Sequence, residues 1–194
     1  MKKDVLSVSE FPENYKEIFS VRLTNKKQVL LVNVIAILIG IIMAVPMHFL
    51  VPFQTLFNME NGIVPYMIRF LTIFVSLVLY IVLHEAVHAV VMKYYGAKKC
   101  NFGFNGLYAW VGADCFFPKK PYIVIALAPV VFWGIILLIC NLLVPSDWFW
   151  VVCIIQICNV SGAAGDFYVS WKFSKMPGDI LIKDTGHSMS VYSK

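Results

Sequence analysis

The stretch that decides the fold is residues 65–94, PYMIRFLTIFVSLVLYIVLHEAVHAVVMKY. A helix rises about 1.5 Å per residue and the hydrocarbon core of a bilayer is about 30 Å thick, so about 20 apolar residues in a row can cross it. This stretch exceeds that length and predicts a membrane-spanning helix. Near its end lies His84-Glu85-Ala86-Val87-His88, and no other charged residue stands between Arg69 and Lys93.

The rest of the chain repeats the apolar pattern. Of its 194 residues 60% are hydrophobic and 14% charged, and the mean hydropathy is +0.77, which is typical of membrane proteins. Three further spans are predicted, at 29–53, 122–144 and 148–169. The predicted fold class is therefore an all-α membrane protein, a bundle of about four transmembrane helices over residues 29–170. An N-terminal segment (1–28), read as an interfacial helix or as disorder, and a tail (171–194) flank it.

The net charge of +5 does not indicate nucleic acid, because lysines and arginines cluster at the ends of spans and form no stripe with interleaved aromatics. Basic residues precede the first span, separate the second from the third and follow the fourth. The positive-inside rule then places both termini in the cytoplasm of a multi-pass protein, in a bacterial plasma membrane. Arg69, near the outer end of the second span, is expected to extend its side chain to the interface.

The loop between the second and third spans predicts a small cytoplasmic β-hairpin. Asn105-Gly106 is a two-residue turn signal, with Phe102 and Phe104 before it and Tyr108 and Trp110 after it. Two roles stay open for this hairpin. Its edge would pair with an extended substrate, or its aromatic residues would pack against the membrane surface as a lid.

The His84-Glu85-x-x-His88 motif indicates a metal site. Residues i and i+4 of a helix point the same way, so two imidazoles at that spacing can share one zinc ion at about 2.0–2.1 Å. Glu85 would then act on water as general base. The alternative is a chance pattern on a solvated helix, but buried ionisable groups in a membrane helix are costly unless something satisfies them.

A catalytic zinc takes three protein ligands, so a third donor must come from elsewhere. The candidates are His48, Asp114, Asp166, Asp179, Asp184 and His187. Asp166 is favoured because it lies six residues from Lys172, as His88 lies five residues from Lys93, which gives the two a similar depth from the same face. The small residues 161–165 would let the two helices approach closely. Asn159, two turns deeper, is expected either to position a substrate carbonyl or to bond to a neighbouring helix.

Taken together, these residues resemble the site-2 protease class of intramembrane zincins, and more closely a zincin peptidase family of small bacterial membrane proteins. The carriers are His84-Glu85-x-x-His88, Phe102-Gly103-Phe104, Leu127-Ala128-Pro129 and Gly165-Asp166. The resemblance implies zinc held by His84, His88 and Asp166, with Glu85 as general base. The chain departs from site-2 proteases in lacking a proline before Asp166. Pro129 is expected to break or kink the third span, and so to admit water or to shape the bundle.

The predicted function is a membrane-embedded zinc metalloprotease that hydrolyses peptide bonds of membrane or membrane-proximal protein substrates near the cytoplasmic face. The alternative is a non-catalytic zinc-binding membrane protein, acting as a structural partner or a metal-responsive regulator. That alternative predicts a closed site in which Asp114 or His187 is a fourth ligand. A transporter is disfavoured because the chain has no inverted repeat. The sequence does not fix an oligomeric state.

Overall fold

A computed structural model of the chain describes residues 7–8, 14–22, 26–104 and 109–194. Its helices are α1 (Lys26–Leu50), a short 3-10 helix (Phe53–Phe57), α2 (Ile63–Tyr94), α3 (Lys119–Leu143), α4 (Ser146–Gly162) and α5 (Ala164–Ser174). Its strands are β1 (Lys16–Arg22), β2 (Cys100–Phe104), β3 (Ala109–Ala113), β4 (Phe116–Pro118), β5 (Leu181–Asp184) and β6 (Ser188–Ser193).

Four helical stretches are long and apolar enough to cross a membrane: Lys26–Leu50, Ile63–Tyr94, Lys119–Leu143 and Ser146–Ser174, the last of which combines α4 and α5. They coincide with the four predicted spans to within a few residues, apart from the longer C-terminal end of the fourth. None of the residues of α1 is buried, although the helix consists almost entirely of apolar side chains. An apolar surface of that extent requires lipid or protein around it.

The all-α description is wrong for segments near both ends of the chain: β1, β5 and β6 join β4 in a four-stranded antiparallel sheet in the order β1-β6-β5-β4. β1 occupies residues for which an interfacial helix was considered. It is a strand because Phe19 and Val21, two residues apart, both pack into one core while β1 pairs with β6. Its partner lies some 170 residues later, so local composition does not reveal the pairing.

The predicted hairpin corresponds to β2 and β3, which pair antiparallel with Phe102 opposite Val111. Its turn, including Asn105-Gly106, and Tyr108 lie outside the described residues. Trp110 packs inside unit 1, defined below, against Gly103, Gly186 and the ring of His187, whose centroid is 4.1 Å away. The lid interpretation, with aromatic residues of the hairpin against the membrane surface, stays a prediction.

The chain divides into two compact units. Unit 1 contains residues 1–32, 84–129 and 165–194, and unit 2 contains residues 33–83 and 130–164. The core of unit 1 joins the C-terminal part of α2, the N-terminal part of α3, α5 and the sheets. Its most deeply buried members are Phe117, Phe173, Ile182 and Val191, each 0% exposed. The core of unit 2 is smaller and centres on Leu56, Trp150, Val151 and Cys153.

Two polar side chains of unit 2 form hydrogen bonds with the backbone of the connection between α1 and α2. Arg69 is only 2% exposed and donates a hydrogen bond to the carbonyl of Asn58, in the connection between α1 and α2. Its extension to a membrane interface stays a prediction. Nδ1 of His48 accepts the backbone N–H of Phe53 at 3.1 Å. Both contacts satisfy backbone groups that a turn would otherwise leave unpaired.

Two features of unit 1 position its polar residues. The fourth span is interrupted at Ala163, and Asp166 consequently stands in the first turn of α5, where a negative charge is favoured by the helix dipole. Lys119, at the start of α3, donates to the carbonyls of Ser174 and Met176 at 2.8 and 2.7 Å and so caps the C-terminus of α5. α3 itself is continuous through Pro129, so the predicted break is wrong.

Candidate metal centre

Three side chains of unit 1 converge where α2 passes α5. His84 and His88 lie one turn apart on α2, with ring centroids 4.9 Å apart. Nε2 of His84 is 3.4 Å from Oδ2 of Asp166, and Nε2 of His88 is 3.7 Å from Oδ1 of the same carboxylate. The side chains are 12%, 10% and 20% exposed, so the group is largely shielded from water.

Glu85 stands beside this group. His84, Glu85 and His88 each offer a donor atom within 4.8 Å of the others. Asp166 is not part of that cluster, although it approaches both histidines closely. The Glu85 carboxylate also interacts with the backbone N–H of Val111 on β3. Two residues, Glu85 and Asp166, are thus geometrically available as a third donor.

The separations favour Asp166 for that role. Ligand atoms that bind one tetrahedral zinc ion at about 2.0–2.2 Å lie about 3.3–3.6 Å from one another. Of the two contacts of Asp166 with the histidines, the one at 3.4 Å falls within that spacing and the one at 3.7 Å lies just above it. Two imidazoles and a carboxylate are also a donor set typical of catalytic zinc. The residues present therefore fit the ion, and their role as ligands stays a prediction.

The orientation of His88 is fixed from α3. Its Nδ1 lies 2.9 Å from the carbonyl oxygen of Ile125, and since a carbonyl only accepts, we assign the proton to Nδ1. The neutral ring then directs the lone pair of Nε2 at Asp166. Two acceptors that face each other repel unless a proton or a metal ion lies between them, so the contact itself requires a positive charge.

Asp184 is one of the candidate metal ligands in the sequence. In the structure it lies at the end of β5 and forms hydrogen bonds with other groups. It is 5% exposed and accepts hydrogen bonds from the Tyr122 hydroxyl at 2.6 Å and from the N–H of Gly186 at 2.8 Å. The charges that act most strongly on Glu85 are those of His88, Asp166 and Asp184. Carboxylates that lie close to two imidazoles form a setting in which a divalent cation is electrostatically favoured.

Burial raises the pKa of Asp184, against the opposing effect of its hydrogen bonds from Tyr122 and Gly186. No local sequence signal marks this carboxylate as part of the site. Asp184 reaches it only because β5 pairs with both β4 and β6.

The remaining candidates are engaged elsewhere. Asp114 is exposed and contacts the side-chain amide of Asn101 at 3.4 Å, and His187 stacks on Trp110. Asp179 accepts hydrogen bonds from Ser193, and His48 belongs to unit 2. Within the described part of the chain, the clustered metal donors do not include any of these four residues. A fourth protein ligand of the kind that the non-catalytic alternative predicts is thus not found there.

Asn159 is fully buried in unit 2. Its Oδ1 accepts the Tyr80 hydroxyl at 2.9 Å and its Nδ2 donates to the carbonyl of Val130 at 3.2 Å. This matches the second of the two roles considered from the sequence, a bond to neighbouring helices. The catalytic role that we predicted for it stays a prediction.

The small residues before Asp166 do not all serve close packing. A methyl group built on Gly162 or Gly165 would meet no atom within 4 Å, whereas Ala163 and Ala164 are 0% and 1% exposed. Close approach of helices therefore accounts for the alanines and leaves the two glycines unexplained.

Comparisons with known proteins give two findings. The family described as "Putative zincin peptidase" matches residues 77–181, which include the histidine motif, the hairpin and Asp166. A protein of Pyrococcus woesei, named "Uncharacterized 24.7 kDa protein in gap 5'region", is 32% identical over 118 residues, which cover 58% of this chain and 51% of that protein. The chain thus spans about half the length of this curated relative. No solved structure gives a significant match.

Proposed function

The chain belongs to the zincin peptidase family, and on that premise we propose that it is a membrane-embedded zinc metallopeptidase that hydrolyses peptide bonds. The observation that carries the proposal is the convergence of His84, His88 and Asp166 beside Glu85. His84, His88 and Asp166 would hold the zinc. Zinc bound there would supply Lewis-acid polarisation of a carbonyl and would acidify water.

Glu85 is the general base of the proposed reaction. Its carboxylate takes a proton from the attacking water and delivers it to the nitrogen of the leaving amine, as the carbonyl C–N bond breaks and a C–O bond forms. Glu85 suits this role because it lies within 4.8 Å of both histidine donors and is held from the other side by the N–H of Val111. Asp166, by contrast, has both carboxylate oxygens directed at the histidines.

The proposed substrate is an extended segment of a membrane or membrane-proximal protein. β3 pairs only with β2 among the described residues, and Val111 on β3 interacts with Glu85. An extended peptide placed along β3 would gain main-chain hydrogen bonds and would bring its own backbone to Glu85. In this proposal the hairpin binds the substrate, which is one of the two roles that the sequence left open.

The location of the reaction follows from the four spans and the basic residues. Lys93, Lys98 and Lys99 follow the histidine motif, and Lys172 and Lys175 follow Asp166. By the positive-inside rule this end of both helices is cytoplasmic, so we place cleavage near the cytoplasmic face of the cell membrane, with both termini on that side. The alternative, a non-catalytic zinc protein, is less well supported because it needs a filled fourth position.

The proposal is tested by comparing host cells that express wild type or Glu85→Gln, which keeps the shape of the side chain and removes its basicity. We expect zinc content to be equal in the two purified proteins. New N-termini of membrane-protein fragments, identified by labelling of free amines and mass spectrometry, should appear with wild type and vanish with Glu85→Gln. The same set of N-termini in both cells would refute the general-base role.

A further inference from the structure

A backbone carbonyl on α3 has lost its usual helical partner. In an α-helix the N–H of each residue bonds to the carbonyl four residues earlier. Pro129 has no N–H, and its ring also presses against the carbonyl at that position, which is the carbonyl of Ile125. The continuity of α3 through Pro129 therefore leaves the Ile125 carbonyl without its ladder donor.

His88 supplies the missing donor. Its Nδ1 lies 2.9 Å from the Ile125 oxygen, and this contact is buried: Ile125 is 1% and His88 8% exposed. A buried carbonyl left without a partner is destabilising, so each group satisfies the other. An alanine at position 129 would offer the carbonyl a competing N–H from within its own helix.

The contact also decides which nitrogen of His88 is available. With the proton held at Nδ1, the lone pair lies on Nε2, which is the atom that faces Asp166 at 3.7 Å. Hydrogen bonds of this kind from the second ring nitrogen orient metal-binding histidines and fix their tautomer. A ring released from Ile125 would be free to rotate or to carry its proton on Nε2, and both changes oppose metal binding.

We propose that Pro129 is a positioning residue of the metal centre: by withholding a backbone N–H it frees the Ile125 carbonyl to hold His88 in its metal-binding orientation and tautomer. The inference rests on the metal-binding part of the proposed function and is independent of proteolysis. It assigns Pro129 a role other than breaking the helix or admitting water.

A measurement on metal-free protein tests the first half of the proposal. The chain has four histidines, so the ring nitrogens of His88 can be assigned by ¹⁵N NMR in detergent micelles with His48→Gln, His84→Gln and His187→Gln as assignment variants. We expect wild-type His88 to be protonated at Nδ1. In Pro129→Ala the two ring nitrogens should shift toward the averaged values of a ring that exchanges tautomers.

Zinc affinity, measured by competition with a fluorescent chelator, tests the second half. Loss of a partner of a ligand histidine typically lowers metal affinity 10–100-fold, and we expect a loss in that range for Pro129→Ala. Pro46→Ala is the matched control, because Pro46 also lies inside a helix, α1, and belongs to unit 2. It should bind zinc as wild type does.

A register variant separates the freed carbonyl from any general effect of a proline. Ala128→Pro combined with Pro129→Ala keeps one proline in α3 but frees the carbonyl of Val124, which lies about 100° around the helix from that of Ile125. We expect it to bind zinc as weakly as Pro129→Ala. Helical circular dichroism of each variant establishes that the fold is retained.

Several results would overturn the proposal. Wild-type zinc affinity in Pro129→Ala would do so, as would a tautomer shift without any loss of affinity, or a loss of affinity with His88 still protonated at Nδ1. Full affinity in the register variant would show that any proline suffices. This inference and the peptidase proposal can fail separately. If zinc binding by the variants follows our expectation but cells with wild type and cells with Glu85→Gln release the same fragments, this inference is supported and the peptidase proposal is rejected.

Discussion

Asp166→Asn offers the sharpest test of the candidate metal centre. The substitution keeps the size and shape of the side chain but removes the negative charge that faces both imidazoles at 3.4 and 3.7 Å. The zinc-binding free energy of a four-ligand structural site is about 10–16 kcal/mol, which corresponds to about 2.5–4 kcal/mol per ligand. Since 1.4 kcal/mol is a factor of ten, we expect zinc affinity to fall about 100- to 1,000-fold.

The assay is zinc competition with a fluorescent chelator on purified full-length protein, with thermal unfolding of the metal-free protein measured in parallel. Asp114→Asn is the matched control, because Asp114 belongs to the same unit but is exposed and contacts only the amide of Asn101 in the described residues. A zinc affinity of Asp166→Asn within threefold of wild type would refute the three-ligand assignment. If Glu85→Gln lost zinc instead, Glu85 would be the third ligand and not the base.

Three further predictions concern the scaffold of the site. Lys119→Met removes two hydrogen bonds that cap α5 and should lower the free energy of unfolding by about 1–3 kcal/mol. Thermal melting measures this loss, and Lys120→Met, at an exposed neighbouring lysine, is the control that should leave stability unchanged. Gly103→Ala places a methyl group about 2.1 Å from the ring of Trp110 and should displace the hairpin and reduce cleavage, whereas Gly165→Ala meets no atom and should leave stability unchanged; equal effects of the two would contradict this packing. Burial raises the pKa of Asp184 above its usual value of 3.8, so the stability that its protonated form contributes is complete below about pH 4 and is lost as the pH rises through the folded-state pKa. Over that pH window the melting temperature of Asp184→Asn should therefore fall less with rising pH than that of wild type. Parallel curves for the two proteins would exclude a raised pKa.

The helices were predictable from the sequence because hydropathy is a local property. A run of about 20 apolar residues is read from its own composition, whatever the rest of the chain does. The approach of Asp166 to the histidines was also expected, because the distance along each helix from its terminal lysine sets the depth of both. The interruption at Ala163 was not expected, because no proline marks it and the small residues 161–165 were interpreted as sites of close helix packing.

The sheet and the surroundings of the site were not predictable in the same way. β1 pairs with β6 from the opposite end of the chain, and Asp184 approaches Glu85 through the pairing of β5 with β4 and β6. Pairings between distant segments depend on contacts that no window of sequence contains. Arg69 shows the same limit: the sequence places it near the outer end of a span but does not reveal that the carbonyl of Asn58 is its partner.

The residues that contact the two histidines and Glu85 come from three different elements. Ile125 on α3 contacts His88, Val111 on β3 interacts with Glu85, and Asp166 on α5 contacts both histidines. Each of these elements is separately anchored in the core of unit 1, through residues such as Tyr122, Phe173 and Ala113. Removing one polar partner therefore leaves the other elements in place. For variants of Asp166 and Glu85 we accordingly expect loss of zinc or of cleavage with an unchanged melting temperature of the metal-free protein. For Lys119→Met we expect the reverse, a lower melting temperature with zinc binding and cleavage retained.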